Sequence, residues 1–489
     1  MHLKSGFEKS YYPLCYQILP GLLQNLSGMK RCFATTMLFI AIAGSSYSQQ
    51  LKSRELTRKL DNLILAQYES LAPGVTVLVA QKGKIIYEKA FGKANLELSS
   101  PMSPATVCRI GSMTKQFTAI AILQLAEQGK LSLQDNIQKY FPDFPADSGS
   151  IAIENLLTHT SGIIDYQTMN WHLPNAIRID FPTETLIDSL KREALQFKPG
   201  AHYSYSNSNY FLLGKIIEKV SGQSYQQYLE EHIFKPLGLS GTYYDNPASI
   251  IPNRASGYSK NDRNFENVGY ISMSLVYAAG ALLSNVRDLF KWHTALIAGN
   301  MVSKPMLKKA FTPYSLRNGE KSEYGYGWFI KDFNGQRAIA HGGSIDGFRS
   351  MGTYLPDKDL YVIILVNSDN EAAQKLFEDI VNLAAGITTT SYKDLQLADS
   401  ILDRYLGTYQ YAGADTTIKE AFRIYKETNR LYADLSNGTG SHMALYPQSE
   451  THFILAIRKP ITIDFIIQNG KVTELIATQK EKNKFIKIE

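Results

Sequence analysis

The sequence predicts an α+β fold: one antiparallel sheet built from both ends of a long main region, a helical subdomain inserted between those ends, and a separate C-terminal all-β domain. Three observations carry this. Strand-like stretches flank the main region and come in pairs joined by tight turns, which suits antiparallel pairing and excludes a doubly wound parallel sheet. Residues from about 150 to 300 read as mainly helical, with loops rich in Pro, Gly and Asn. Beyond about residue 390 short strands alternate with turns.

In chain order, the first feature is a leader. "MKRCFATTMLFIAIAGSSYS", residues 29–48, has two basic residues, an apolar stretch from Phe33 to Gly44 and a small-x-small ending at Ser46-Tyr47-Ser48. That pattern reads as a cleaved secretory signal peptide, with an uncleaved anchor as the other reading. The apolar stretch is too short to cross a bilayer. Residues 1–28 then read as an upstream extension from a start codon placed too early. Export predicts a periplasmic or secreted protein that touches a membrane only through an uncleaved leader.

The main region spans 49–388. A polar helix near 51–71 precedes "GVTVLVAQKGKIIYEKAFG", two strands around a Lys-Gly turn. A long apolar helix follows and ends at Gly129. After the helical middle, "QRAIAHGGS" and "GFRSMGTYLPDKDLYVIILVNSD" return to strands, the latter a hairpin around Pro356-Asp357, and "EAAQKLFEDIVNLAAGI" is an amphipathic helix. Residues 395–489 form the small all-β domain, a barrel or a sandwich.

Net charge is +6 over 489 residues, without a basic arm or run. Nucleic acid is therefore not an expected partner. Of three cysteines, Cys15 and Cys32 fall in or before the leader, so cleavage leaves Cys108 alone and no intrachain disulfide. Cys108 reads as a small core residue.

The chemistry begins at "RIGSMTKQFTAIAILQLAEQGK", Arg109 to Lys130. Ser112 and Lys115 are three residues apart at the head of a helix that is apolar on nearly all sides, hence buried. A serine hydroxyl needs a base, and a lysine held neutral by burial can supply one. Neutrality near pH 7 requires an environmental bias of about 4 kcal/mol, which a buried helix can provide. Taken alone the pair has a plainer reading, a capping serine and a solvated first-turn lysine. Ser27 and Lys30 show the same spacing where the extension meets the leader.

Two further stretches turn the balance. "FKPGAHYSYSNSNYFLLGKIIEKVSG" carries Tyr205-Ser206-Asn207 into an amphipathic helix, and His341-Gly342-Gly343-Ser344 ends an apolar strand. With these in order the chain resembles the penicillin-recognising serine hydrolases, in the branch of class C β-lactamases, D-alanyl-D-alanine carboxypeptidases and related esterases. The resemblance covers about residues 55–388 and includes "ENLLTHTSGI", "PLGLSGTYY", "AAGALLSNVRDL", "YGYGWF" and "HGGSIDGF".

The resemblance implies a β-lactamase/transpeptidase-like fold and a role for each motif. Ser112 would be the acylated nucleophile, Lys115 its base and Tyr205 the group that delivers a proton to the leaving group. Asn207 would hold the lysine and the substrate amide. The backbone N–H groups of Ser112 and Ser344 would form the oxyanion hole, beside His341 and the bare strand Gly342-Gly343. Many β-lactamases carry lysine where this chain has His341, so D-amino acid peptides of the cell wall and small esters or amides come ahead of β-lactams as substrates. A class C-type β-lactamase, or a non-catalytic protein binding peptidoglycan or a partner, are the other readings.

Outside the motifs, Arg349 reads as a surface strand residue or, less favoured, as the source of the positive charge missing at His341; Asp346 reads as a turn residue, His159 as a hydrogen-bonded structural histidine and Trp328 as either core or site lining. No Gly-x-Ser-x-Gly elbow, zinc motif or phosphate loop appears, so no cofactor or metal is implied. Appended domains in the family can border the active site, so the C-terminal domain reads either as a limit on substrate length or as a stability module.

Overall fold

The computed structural model describes residues 53–488 except 69, 145–149, 170–175, 181, 261–263, 370–371, 388–394, 414–419, 428, 437–442, 456–459 and 480. The leader and the extension before it, 29–48 and 1–28, lie outside the described residues. The chain divides into two compact units, one ending at Ala385 and the other running Gly386–Glu489.

The first unit is built on a six-stranded antiparallel sheet. A helix over 53–65 (α1) leads to β1 (Val75–Gln81) and β2 (Lys84–Phe91). Much later in the chain come β3 (Phe329–Phe333), β4 (Gln336–Ile345), β5 (Phe348–Leu355) and β6 (Leu360–Val366). Their order is β3-β4-β5-β6-β1-β2, so the two ends of the unit meet in the middle of the sheet as expected. β1 lies antiparallel to β6, with Val75 opposite Val366 and Gln81 opposite Leu360. The sequence of β6, LYVIILV, does not alternate because every position is buried. A strand covered on both faces reads as a continuous apolar run.

The helical insertion contributes α2 (Thr114–Glu127), α3 (Asn207–Ser221), α4 (Met273–Gly280) and α5 (Val286–Ala298). A last helix, α6 (Ala372–Ala385), packs with α5 against β6. α2 is buried along almost its whole length and packs on α3 and α4. It stops where Gly129 N–H bonds Ala126 O and Lys130 N–H bonds Leu125 O, each at 3.0 Å, a Schellman closure that its glycine makes possible.

The second unit settles the barrel-or-sandwich alternative. Eight antiparallel strands, β7 (Gly407–Tyr411), β8 (Ala421–Glu427), β9 (Arg430–Leu435), β10 (Met443–Pro447), β11 (His452–Leu455), β12 (Ile461–Gln468), β13 (Lys471–Thr478) and β14 (Lys482–Lys487), form a closed barrel. Closure comes from β7 pairing with β14, Tyr409 opposite Lys487. Tyr409, Phe422, Leu445, Phe453, Phe465 and Phe485 belong to its buried core. These buried side chains fill the interior, which in a barrel of eight strands is about wide enough for them.

Candidate active site

Ser112 sits not in α2 itself but in the 3₁₀ turn Gly111–Met113 that runs into it. Two glycines let that turn and β4 touch. Gly111 has φ +48, and a Cβ there would lie 3.1 Å from Ser344 N; a Cβ on Gly343 would lie 2.0 Å from Ile110 O. The Ser344 amide is thereby brought beside the turn that carries Ser112. Gly343 thus serves the packing of protein on protein, and together with Gly342 it also lines the cleft. β3 pairs with β4 only as far as Phe329 opposite Ala340, so β4 from His341 onward leaves that partner behind along the cleft.

Lys115 is fully buried, and its Nζ lies 3.0 Å from Ser112 Oγ. It also donates to Asn207 Oδ1 and to Ala279 O, both at 2.8 Å. Neither contact can be reversed. A backbone carbonyl only accepts, and the Asn207 amide is fixed because its Nδ2 donates to Asp165 Oδ2 at 3.0 Å. A neutral amine has two N–H groups and one lone pair. Both N–H groups are claimed, so the lone pair is left for the Ser112 hydroxyl. Burial brings the Lys115 pKa down to about 7, with the Asp165 charge pulling the other way.

The Ala279 carbonyl points inward because α4 is broken. Tyr277 holds φ 39 and ψ −129 within it, a conformation that costs a bulky residue about 1–3 kcal/mol. The break turns Ala278 O onto Thr118 Oγ1 at 2.7 Å and Ala279 O onto Lys115. Asp165, Ala279 and Tyr277 are functional positions that the motifs did not reveal.

Tyr205 is held protonated: burial pushes its phenol well above the ordinary range, and a hydrogen bond with Ser112 opposes this only partly. His341 is buried, with Nδ1 2.6 Å from Gly342 O and Nε2 2.9 Å from Tyr324 Oη. The carbonyl requires a proton on Nδ1, so the neutral ring accepts the Tyr324 hydroxyl at Nε2. Burial and Lys115 pull its pKa down to about 3, so His341 offers no positive charge to a substrate near neutrality.

The cleft measures about 1000 Å³ and brings together Ser112, Tyr205, Asn207, His341, Gly342, Gly343 and Ser344. Arg349, opposite Ser344 on β5, is a half-buried strand residue and lines it too. Asp346 is a turn residue as expected, and pairs with Arg178 at 3.3 Å. Trp328 is core, packed edge-on against Phe311 at 5.0 Å and not among the cleft lining. Cys108 is fully buried and its thiol is pushed up to about 12. His159 is buried and bonded, as expected, but against Tyr205. Among the described residues, no His/Cys/Asp/Glu cluster could hold a metal and no helix is long and apolar enough to cross a membrane.

The Beta-lactamase family model matches residues 60–385. The chain belongs to the Beta-lactamase family. The match takes in the whole site from Ser112 to Ser344. Within this family, Penicillin-binding protein 4* of Bacillus subtilis (strain 168) is 30% identical over 408 residues, covering 78% of this chain and 87% of that protein. The solved structure of an octameric penicillin-binding protein homologue from Pyrococcus abyssi superposes with a TM-score of 0.61 at 26% identity, over 87% of this chain and 99% of that one. A D-stereospecific amidohydrolase from Streptomyces sp. superposes with a TM-score of 0.58 at 26% identity, over 68% and 98%. The first unit therefore has the β-lactamase/transpeptidase-like fold, joined to a C-terminal barrel.

Proposed function

We propose that this chain is an exported serine hydrolase that cleaves amides or esters through an acyl-enzyme on Ser112, acting on D-amino acid peptides or small esters. The supporting observation is the arrangement around Lys115: a buried amine near neutrality, both N–H groups spent on Asn207 and Ala279, its lone pair free for Ser112. Ser112 Oγ attacks the substrate carbonyl carbon and its proton passes to Lys115 Nζ. The negative charge that develops on the carbonyl oxygen meets the N–H groups of Ser112 and Ser344. As the tetrahedral species collapses, Tyr205 gives a proton to the leaving group and recovers one from Lys115. Water then enters by the same route in reverse and releases the acid.

A relative named a D-stereospecific amidohydrolase favours D-amino acid substrates, and another is named a penicillin-binding protein. The leader at 29–48 would carry the enzyme to where wall peptides lie. The neutrality of His341 weighs against a site built for the carboxylate of β-lactams. Intact mass of the protein after a fluorophosphonate and, separately, a labelled penicillin tests the reading, with Ser112→Ala beside both. Adducts from both reagents, absent in the control, support an acyl-enzyme hydrolase of the penicillin-recognising kind. A fluorophosphonate adduct alone favours an esterase or peptidase. No adduct on folded protein would reject the catalytic reading in favour of a binding protein.

A further inference from the structure

His159 stands outside the three motifs, yet it grips the second from both sides. Its carbonyl oxygen accepts Ser204 N–H at 3.0 Å, and its ring Nδ1 accepts Ser206 N–H at 3.2 Å. Tyr205 lies between those two amides, its ring 4.3 Å from the imidazole centroid to centroid. One residue can reach both flanks because His159 is in the left-handed region, φ 56, uncommon for a side chain of this size.

The ring's protonation is fixed by its neighbours. Asn209 Nδ2 lies 3.3 Å from Nδ1, and that amide is oriented by Ser161 Oγ donating to its Oδ1 at 2.6 Å. Nδ1 thus faces two donors, the Ser206 amide and Asn209. It must be the acceptor, and the proton belongs on Nε2. Among the described residues Nε2 is buried without a hydrogen-bond partner, beside the rings of Tyr205, Tyr210 and Tyr324. An orphaned buried donor costs about 1–3 kcal/mol, so general stability does not explain a histidine here. Burial and the neighbouring Lys115 hold the ring neutral.

We propose that His159 is the positioning residue for Tyr205: its carbonyl and its Nδ1 clamp the backbone on either side and its ring backs the phenol, setting the hydroxyl for proton delivery to the leaving group. This rests on the acyl-enzyme reading above. The clamp needs an acceptor at the δ position and a backbone at positive φ. Asparagine supplies both, since its Oδ1 takes the place of Nδ1 and it tolerates the left-handed region. Glutamine puts its oxygen one bond further out, where Nε2 was.

The test uses the full chain as wild type, His159→Asn and His159→Gln. The acylation rate, read as the first-turnover release of chromophore before water enters, is measured on a D-alanyl p-nitroanilide, whose amine must be protonated to leave, and on the matching p-nitrophenyl ester, whose phenolate leaves unaided. His159→Gln should lower the acylation rate on the anilide by about 100-fold, the scale of a lost general acid, with half-saturation little changed and acylation by the ester reduced by less than about tenfold. His159→Asn should recover the anilide to within about tenfold of wild type. Equal losses on both substrates, or Asn and Gln behaving alike, would overturn the inference. Two readouts hold even if neither substrate turns over, the outcome that would instead count against the proposed function. Nitrogen NMR of the wild-type ring should show the proton on Nε2, and crystal structures should show Tyr205 displaced by Gln but not by Asn. A proton on Nδ1, or an unmoved Tyr205 in His159→Gln, would refute the clamp.

Discussion

The carbonyl oxygen of Ile110 fills the space where Gly343 would carry a side chain, 2.0 Å from the Cβ position. Ile110 also accepts the Ser350 hydroxyl at 2.7 Å, so this carbonyl is pinned and cannot retreat. Gly343→Ala should therefore push β4 away from the turn bearing Ser112 and spoil the Ser344 amide as an oxyanion donor. Loss of one such donor is worth about 3 kcal/mol, or roughly 100-fold in kcat. Gly342→Ala, whose Cβ would meet Ser350 O at 3.2 Å, should cost less. Fluorophosphonate labelling rates of the two variants give the comparison; equal rates would contradict the contact.

The barrel has its own core and should unfold by its own energetics. Phe465 stacks on Tyr405 at 4.3 Å between ring centroids and meets Phe453 at 5.4 Å and Tyr409 at 5.7 Å. Phe465→Ala should cost about 3–5 kcal/mol within that unit. Calorimetry of the full chain is expected to show one transition moved to lower temperature, with Ser112 labelling intact below it.

Tyr324 and His341 form a buried pair in which the phenol donates and the neutral ring accepts. Tyr324→Phe leaves Nε2 without its donor, a loss of about 1–3 kcal/mol readable by urea unfolding. The unfolded ring takes a proton near 6.5 and the folded one only near 3. The unfolded state thus binds more protons in that window, and stability falls as the pH drops through it. NMR should find His341 untitrated from pH 5 to 9. A midpoint inside that range would overturn the assignment.

Ser112 and Lys115 were legible because helical spacing and an apolar flank are both written in consecutive residues. The sheet was legible for the same reason: tight turns join β1 to β2 and β5 to β6. Asp165 and Ala279 were not. Ala279 acts through its backbone carbonyl, which any residue possesses, and reaches Lys115 across 164 positions through a break at Tyr277 that no residue type announces. Asp165 works by orienting an amide, a role with no spacing of its own. Gly343 was legible as a glycine of the cleft but not for its packing, since the clash it avoids is with Ile110 far back in the chain. Likewise strand alternation cannot tell a barrel from a sandwich; only the pairing of β7 with β14 decides it.

Asp165 sets both the charge and the geometry at Lys115, and two variants separate the effects. If Lys115 is the proposed base it works as the neutral amine, and kcat/KM should rise with pH through a midpoint of about 7. The carboxylate favours the ammonium form, and Asp165→Asn removes that charge while keeping an oxygen for Asn207 Nδ2. Its acid limb should move to lower pH with the plateau largely retained. Asp165→Ala removes the oxygen as well. Asn207 is then free to turn its amide, present Nδ2 to Lys115 and deprive the amine of an acceptor. The limb should again move down, now with a lower plateau. A limb that moves to higher pH in either variant would mean that the titrating base is not Lys115.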